Sequence, residues 1–169
     1  MTHEWKNWSG SLHFTPRSLE KPRHEDDLVK IVQRAAQEQR HVRVVGAGHS
    51  SSALVETNDV LISLEKMQGL VSHNAEQHQA TIRAGMILND TGKMLREVGL
   101  ATHNTGDVDV QMVAGAIGTG THGTGQKLKN LSTMLIGTRK VTSSGEIVEW
   151  NIEEQPEQMR AARVALGTL

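Results

Sequence analysis

The sequence contains no cysteine, which removes disulfides, thiolate catalysis and cysteine-based zinc sites together. Tyrosine is absent as well, and the aromatic side chains are Trp5, Trp8, Trp150 and Phe14. That is too few for a platform on which single-stranded nucleic acid could stack. With a formal charge of −1, there is no electrostatic case for nucleic acid or an anionic membrane as the main partner. No apolar run approaches the ~18 residues of a membrane span, and residues 1–10 hold no apolar signal-peptide stretch. The expectation is a cytoplasmic protein with no nucleic-acid partner and no membrane span.

The composition that remains is that of a soluble globular chain, with 37% hydrophobic and 22% charged residues in 169. A chain of this size makes one domain and buries roughly 70% of its unfolded surface. Residues 24–40 are predicted to be a helix. Leu28, Ile31, Val32, Ala35 and Ala36 recur at spacings of three and four, Glu25, Asp26 and Asp27 load the first turn, and Pro22 precedes it. Residues 41–45 read as a short buried strand, 60–64 as a second strand and 79–84 as a third, closed by Gly85. A second helix is expected over 88–98, with Asn89 or Asp90 as its cap and Gly99 as its stop, although Gly92 weakens it. Residues 135–142 and 145–150 read as a hairpin, and 155–164 as a last helix after Pro156. Strands and helices do not alternate regularly, so the class is α+β.

Two glycine-rich segments stand out. In Val44-Val45-Gly46-Ala47-Gly48-His49-Ser50-Ser51 a strand runs into small residues whose backbone N–H groups can approach an anion unhindered, and Ser50 and Ser51 add hydroxyls. A pyrophosphate cradle and a simple tight turn both remain open. A Rossmann fingerprint fits poorly, because its third glycine falls on Ser51, and no Gly-Lys-Ser/Thr is present for a Walker loop. The second segment, Val113-Ala114-Gly115-Ala116-Ile117-Gly118-Thr119-Gly120-Thr121-His122-Gly123-Thr124-Gly125, is too glycine-rich for a good helix or an ordinary strand. It is either a flexible linker or a wall that lets backbone approach a flat ligand, and Ile117 and His122 within it favour the wall.

Of nine histidines, His49, His103 and His122 fall in these special stretches. They lack the close spacing of zinc ligands, and no carboxylate cluster accompanies them, so no metal is expected. His3, His13, His24, His41, His73 and His78 receive no role. Ser50 beside His49 is a chain neighbour and not a triad, and no Gly-x-Ser-x-Gly occurs.

Taken together and in this order, the two segments resemble the aldonolactone/alditol oxidase branch of the vanillyl-alcohol-oxidase-type, PCMH-type FAD-linked oxidases. The match begins with Val44-Val45-Gly46-Ala47-Gly48-His49-Ser50 and continues through Gln111-Met112 into the Gly115 to Gly125 run. Asn7-Trp8-Ser9-Gly10 and Val60-Leu61-Ile62-Ser63-Leu64 add to it, so that the resemblance covers residues 5–169. It implies an FAD-binding fold whose first subdomain has a small mixed sheet flanked by helices. Gly46, Ala47, Gly48, His49, Ser50 and Ser51 would wrap the FAD pyrophosphate, and His49 would bond covalently to the flavin 8α carbon. Gly106, Asp107, Gly115, Thr119, Gly120, Thr121, His122 and Gly123 would lie along the isoalloxazine and the rest of the cofactor. A neutral imidazole, held in place by such a loop, is a fair nucleophile for that carbon. The alternative for His49 is a loop histidine bonded to backbone.

The activity so implied is oxidation of a carbinol on a sugar-derived lactone or polyol. Hydride passes to flavin N5, and O2 reoxidises the flavin to give H2O2. No residue is nominated as catalytic base. Family members run to more than twice this length, so residues 1–169 correspond to an incomplete FAD domain without the substrate (cap) domain, inactive alone and prone to self-association as a homo-oligomer. Two other readings stand beside the oxidase: a dehydrogenase using another electron acceptor, and a non-catalytic FAD-binding module. A globular domain without cofactor is disfavoured by the second glycine-rich segment.

Overall fold

The computed structural model describes residues 4–168, so His3 and Leu169, both named above, lie outside the described residues. Its centre is a parallel three-stranded sheet in the order β3 (Ser18–Glu20), β5 (Val60–Ser63), β4 (Val42–Val45). In register, Ser18 and Val42 both lie beside Val60, and Glu20 and Val44 beside Ile62. All four residues of β5 are buried, which is why its sequence is an unbroken apolar run closed by a small hydroxyl residue.

Helix α1 (Glu25–Gln37) crosses from β3 to β4 and packs Ile31 and Ala35 on Val60 and Ile62, with Leu28, Val32, Val42 and Leu64 around them. Its start is capped by Asp27, whose carboxylate accepts N–H bonds from Arg23 at 3.1 Å and His24 at 3.2 Å. The helix stops short of the expected residue 40 because Gln39 turns left-handed at φ 53°, and Arg40 N–H reaches back to Ala35 O at 2.8 Å. Asp59 then ties the two strand starts together. Its carboxylate accepts the His41 N–H at 3.1 Å and pairs with Arg40 at 3.2 Å.

Smaller units surround this centre. β1 (Trp5–Lys6) and β2 (His13–Phe14) form an antiparallel ribbon, with the Trp5 and Phe14 rings 5.0 Å apart. β6 (Leu70–Asn74) and β7 (Gln79–Ile82) form a second antiparallel pair. The sequence marks only β7, because β6 is almost wholly exposed and carries no alternation of polarity. β8 (Gly137–Val141) and β9 (Ile147–Asn151) form the expected hairpin, tied to α1 through Arg139, which bonds both Glu25 and Glu149. The helix α2 (Leu88–Glu97) follows β7, and α4 (Pro156–Ala162) ends the described fold with Met159 fully buried. The fold is α+β, with parallel and antiparallel ladders flanked by helices.

Two local expectations are corrected. The cap of α2 is the backbone of Ile87, with Asn89 and Asp90 already inside the first turn; burial of Thr91 and Leu95 sets the start in place of a side-chain cap. Residues Val113–Gly118 form a short helix, α3, in spite of two glycines. Tertiary contacts override the weak propensity: Val113 N–H bonds Met86 O at 2.8 Å, Val113 and Ala116 are buried, and the Ser132 hydroxyl donates to Ile117 O at 2.6 Å. Among the described residues no helix is long and apolar enough to cross a membrane.

Candidate functional site

β4 ends at buried Val45, and the chain leaves the carboxyl end of a parallel sheet directly into Gly46. Loops at this end of parallel strands are where such sheets hold ligands. Gly46 lies on the entrance to α3: a Cβ there would stand 3.5 Å from the Met112 Cβ and 3.9 Å from the Gly115 Cα. The two glycine-rich segments therefore meet. Gly48 has φ +71°, and a Cβ on it would come within 3.1 Å of the Trp5 ring, so this position suits glycine on two counts.

The loop is clamped from outside by the N-terminal ribbon. Trp8 N–H donates to Gly48 O at 3.1 Å. Asn7, only 3% exposed, donates from Nδ2 to Ser50 O at 3.1 Å and accepts Leu12 N–H on Oδ1 at 3.0 Å. Among the described residues, the N–H groups of Ala47, Gly48, His49 and Ser50 find no acceptor within the protein, so they stay free for an anion. The Ser50 hydroxyl accepts Ser52 N–H at 3.3 Å, and Ser51 is exposed.

His49 sits edge-to-face with Trp8, the ring centroids 5.4 Å apart at 72°. Its Nδ1 is buried and has no hydrogen-bond partner, and the same is true of Oε1 of Gln111. Trp8, His49, Val108 and Gln111 line one cavity of about 140 Å³. An unpaired buried polar atom costs about 1–3 kcal/mol, so a cavity bordered by two such residues is a place for a further group. The alternative in which His49 is tied to backbone is not what the ring does.

The second segment folds into a wall. A Cβ on Gly106 would fall 2.9 Å from Thr121 Cγ2, and one on Gly123 would strike Thr105 O and stand 2.7 Å from Asn104 Oδ1. Residues 104–106 and 121–123 therefore lie in direct contact. Gly120, at φ +71°, passes under Val164. The Thr119 hydroxyl closes α3 on Gly115 O at 2.8 Å. His122 is exposed, with Nδ1 2.9 Å from Gly123 O. It does not line the cavity beside His49. Asp107 is exposed, and an added Cβ at Gly115 meets open space. His49 joins this wall through Val108 and Gln111, which lie between its two halves in the chain.

A larger concavity lies elsewhere. An open trough of about 2470 Å³ runs across α1, the β6–β7 pair, α2 and the β8–β9 hairpin, reaching Gly106, Asp107 and Gly118 but not His49. Size alone would select it. The converging loops, the unpaired nitrogen and the free N–H groups select the smaller cavity. The shifted acids also lie away from that cavity. The Asp59 carboxyl is lowered by the His41 N–H and then by Arg40, and that of Glu65 chiefly by Lys21. Among the described residues no group of three or more metal-ligating side chains forms.

The ribbon contacts of Asn7 and Trp8 are what sequence reasoning missed. The Asn7-Trp8-Ser9-Gly10 stretch is visible in the sequence, but nothing in it points to Gly48 or Ser50 as its partners.

Comparison with known proteins shows the family and the fold. Residues 16–151 match a family described as FAD binding domain. The chain is 34% identical over 169 residues to L-gulono-1,4-lactone dehydrogenase of Mycobacterium tuberculosis, covering 100% of this chain and 39% of that protein. It is 33% identical to D-arabinono-1,4-lactone oxidase of Eremothecium gossypii (98% and 32% covered) and to L-gulonolactone oxidase of Bos taurus (98% and 38%). The chain thus spans well under half the length of these relatives. Among solved structures, alkyldihydroxyacetonephosphate synthase superposes with a TM-score of 0.83 at 18% identity, over 95% of this chain and 31% of that one. 6-Hydroxy-D-nicotine oxidase of Arthrobacter nicotinovorans gives 0.77 at 23% identity, over 87% and 32%. At such identities the structural likeness speaks for the fold alone.

Proposed function

The chain belongs to the FAD-binding-domain family, and from that premise we propose that it is the cofactor-holding part of an FAD-linked oxidoreductase acting on a sugar-derived lactone or polyol. We assign all 169 residues to this one domain, with His49 as the covalent attachment point of the flavin. The observation that carries the reading is the meeting of the two glycine-rich segments at His49, where a buried, unpaired ring nitrogen lies beside a run of free backbone N–H groups.

The residues fit the group. Gly46 to Ser51 offer donors without side-chain bulk to a pyrophosphate, as a nest of backbone amides does. Gly106, Thr121 and Gly123 leave a wall with little side-chain relief, on which a flat ring can lie. FAD held by Gly46 to Ser51 and this wall would supply a hydride acceptor at N5, with O2 as the final electron acceptor giving H2O2. His49 contributes the tether. Net, one 8α C–H bond and one imidazole N–H bond are lost and one C–N bond is made. The two hydrogens and the electron pair leave with O2 as H2O2. The loop supplies effective concentration for that step by holding the ring beside the site. The lactone class is supported by the relatives named for lactones.

Acid precipitation of the FAD-loaded protein tests the tether. Yellow colour is expected in the pellet, and His49→Ala is expected to move it to the supernatant. Colour in the pellet of that variant would overturn the assignment. One observation favours a second reading, in which O2 is not the acceptor: the Mycobacterium tuberculosis relative is named a dehydrogenase. In a full-length relative, peroxide formed in step with lactone oxidised supports the oxidase, and turnover only with an artificial dye supports the dehydrogenase.

A further inference from the structure

Trp8 is 66% exposed, yet it is held in place more firmly than any loose surface residue needs to be. Its own N–H is bonded to Gly48 O, its neighbour Asn7 is buried and bonded to Ser50 O, and the β1–β2 ribbon places Trp5 against Gly48. These contacts hold the backbone of Trp8 on the loop, and its indole stands edge-to-face against His49. Val108, 47% exposed, lines the same small cavity. The ribbon precedes residue 16, where the family match begins, whereas His49 and Val108 lie within the matched residues 16–151. A large apolar ring left in water is costly at about 25 cal/mol per Å², which makes a built but uncovered aromatic wall a sign of something that covers it.

We propose that Trp8 is a positioning residue for the His49–flavin bond: its indole and Val108 form the slot that takes the apolar dimethylbenzenoid edge of the isoalloxazine and presents the 8α carbon to His49. The inference rests on the assignment of His49 as tether. The chemistry of the bond is unchanged; Trp8 sets the approach of one reacting atom to the other. Misplacement of reacting groups by about 1 Å costs as much as 100-fold in rate, so an aromatic wall can matter without touching a proton.

The test follows covalent flavin over time in the full chain incubated with FAD, read as acid-precipitable colour, alongside total bound FAD and tryptophan emission. Trp8→Ala is expected to bind FAD and to slow covalent attachment by at least about tenfold, and Trp8→Phe to recover most of the rate. Binding of FAD should quench the share of emission that is missing in Trp8→Phe. Thermal unfolding of both variants near wild type excludes simple loss of fold, and if Trp8→Ala does unfold, the Phe variant and the quench still decide. Attachment in Trp8→Ala at the wild-type rate, or FAD bound without Trp8 quenching, overturns the slot while leaving the tether standing. Covalent flavin retained in His49→Ala overturns the tether and the slot with it, as does failure of the chain to take up FAD at all.

Discussion

The parallel sheet with α1 and the loop cluster around His49 lie a single residue apart in the chain, at Val45 and Gly46, and they obey opposite rules. In the sheet, Leu61 and Ile62 are fully buried, and Asp59 answers the His41 N–H and one guanidinium nitrogen of Arg40, leaving only the buried Arg40 Nε without a partner among the described residues there. Around His49, two buried polar atoms go unanswered, a tryptophan stands in water and backbone donors lack acceptors. A place where unpaired buried atoms, an exposed aromatic and open backbone donors coincide is marked as functional by that coincidence. The contrast teaches that the sheet is built for stability and the loops for a guest.

Substitutions can break or sharpen this contrast. The largest effect on stability is expected at Ile62→Ala, which opens a cavity in the closed core and should cost about 2–5 kcal/mol in denaturant unfolding. Gly48→Ala forces a left-handed residue with a Cβ against Trp5. About 1–2 kcal/mol is expected from the backbone alone, together with weaker FAD retention in a flavin-binding titration. Asp59 reports through pH. Its folded carboxyl is lowered, so its stabilising contribution is complete above the ordinary carboxylate value of about 4 and is lost as pH falls through the lower folded value;. Asp59→Asn should therefore flatten the acid limb of the stability profile, which thermal melts across that range would reveal. Glu65→Gln removes a surface pair with Lys21 and should change stability by less than about 1 kcal/mol. Smallest of all is His49→Ala, expected within about 0.5 kcal/mol, because the packing lost against Trp8 is offset by removal of an unpaired buried nitrogen. An unfolding midpoint much below wild type would make His49 a structural residue.

The sequence made the stable half easy to read. β5 and α1 follow from an unbroken apolar run and from three-and-four spacing, and the β8–β9 hairpin from its turn around Gly145. It hid elements whose order comes from partners distant in the chain. β6 has no polarity pattern because both its faces are wet, and α3 is helical only because Met86 and Ser132 hold it. Of the site, the segments around His49 and Gly120 could be recognised by composition, since close backbone approach demands glycine. The clamp of Asn7 and Trp8 on Gly48 and Ser50 could not, because it joins residues more than forty positions apart through one amide side chain. The pairing of Gln111 with His49 around a single cavity is likewise a product of the fold, as no spacing rule connects a loop after β4 to the entrance of α3.

Peptide mapping by mass spectrometry, on FAD-loaded protein denatured and digested, tests the central claim most directly. The account predicts one FAD covalently held on the peptide containing His49 and on no other. An unmodified His49 peptide, with the flavin recovered free or attached to a different residue, would contradict it.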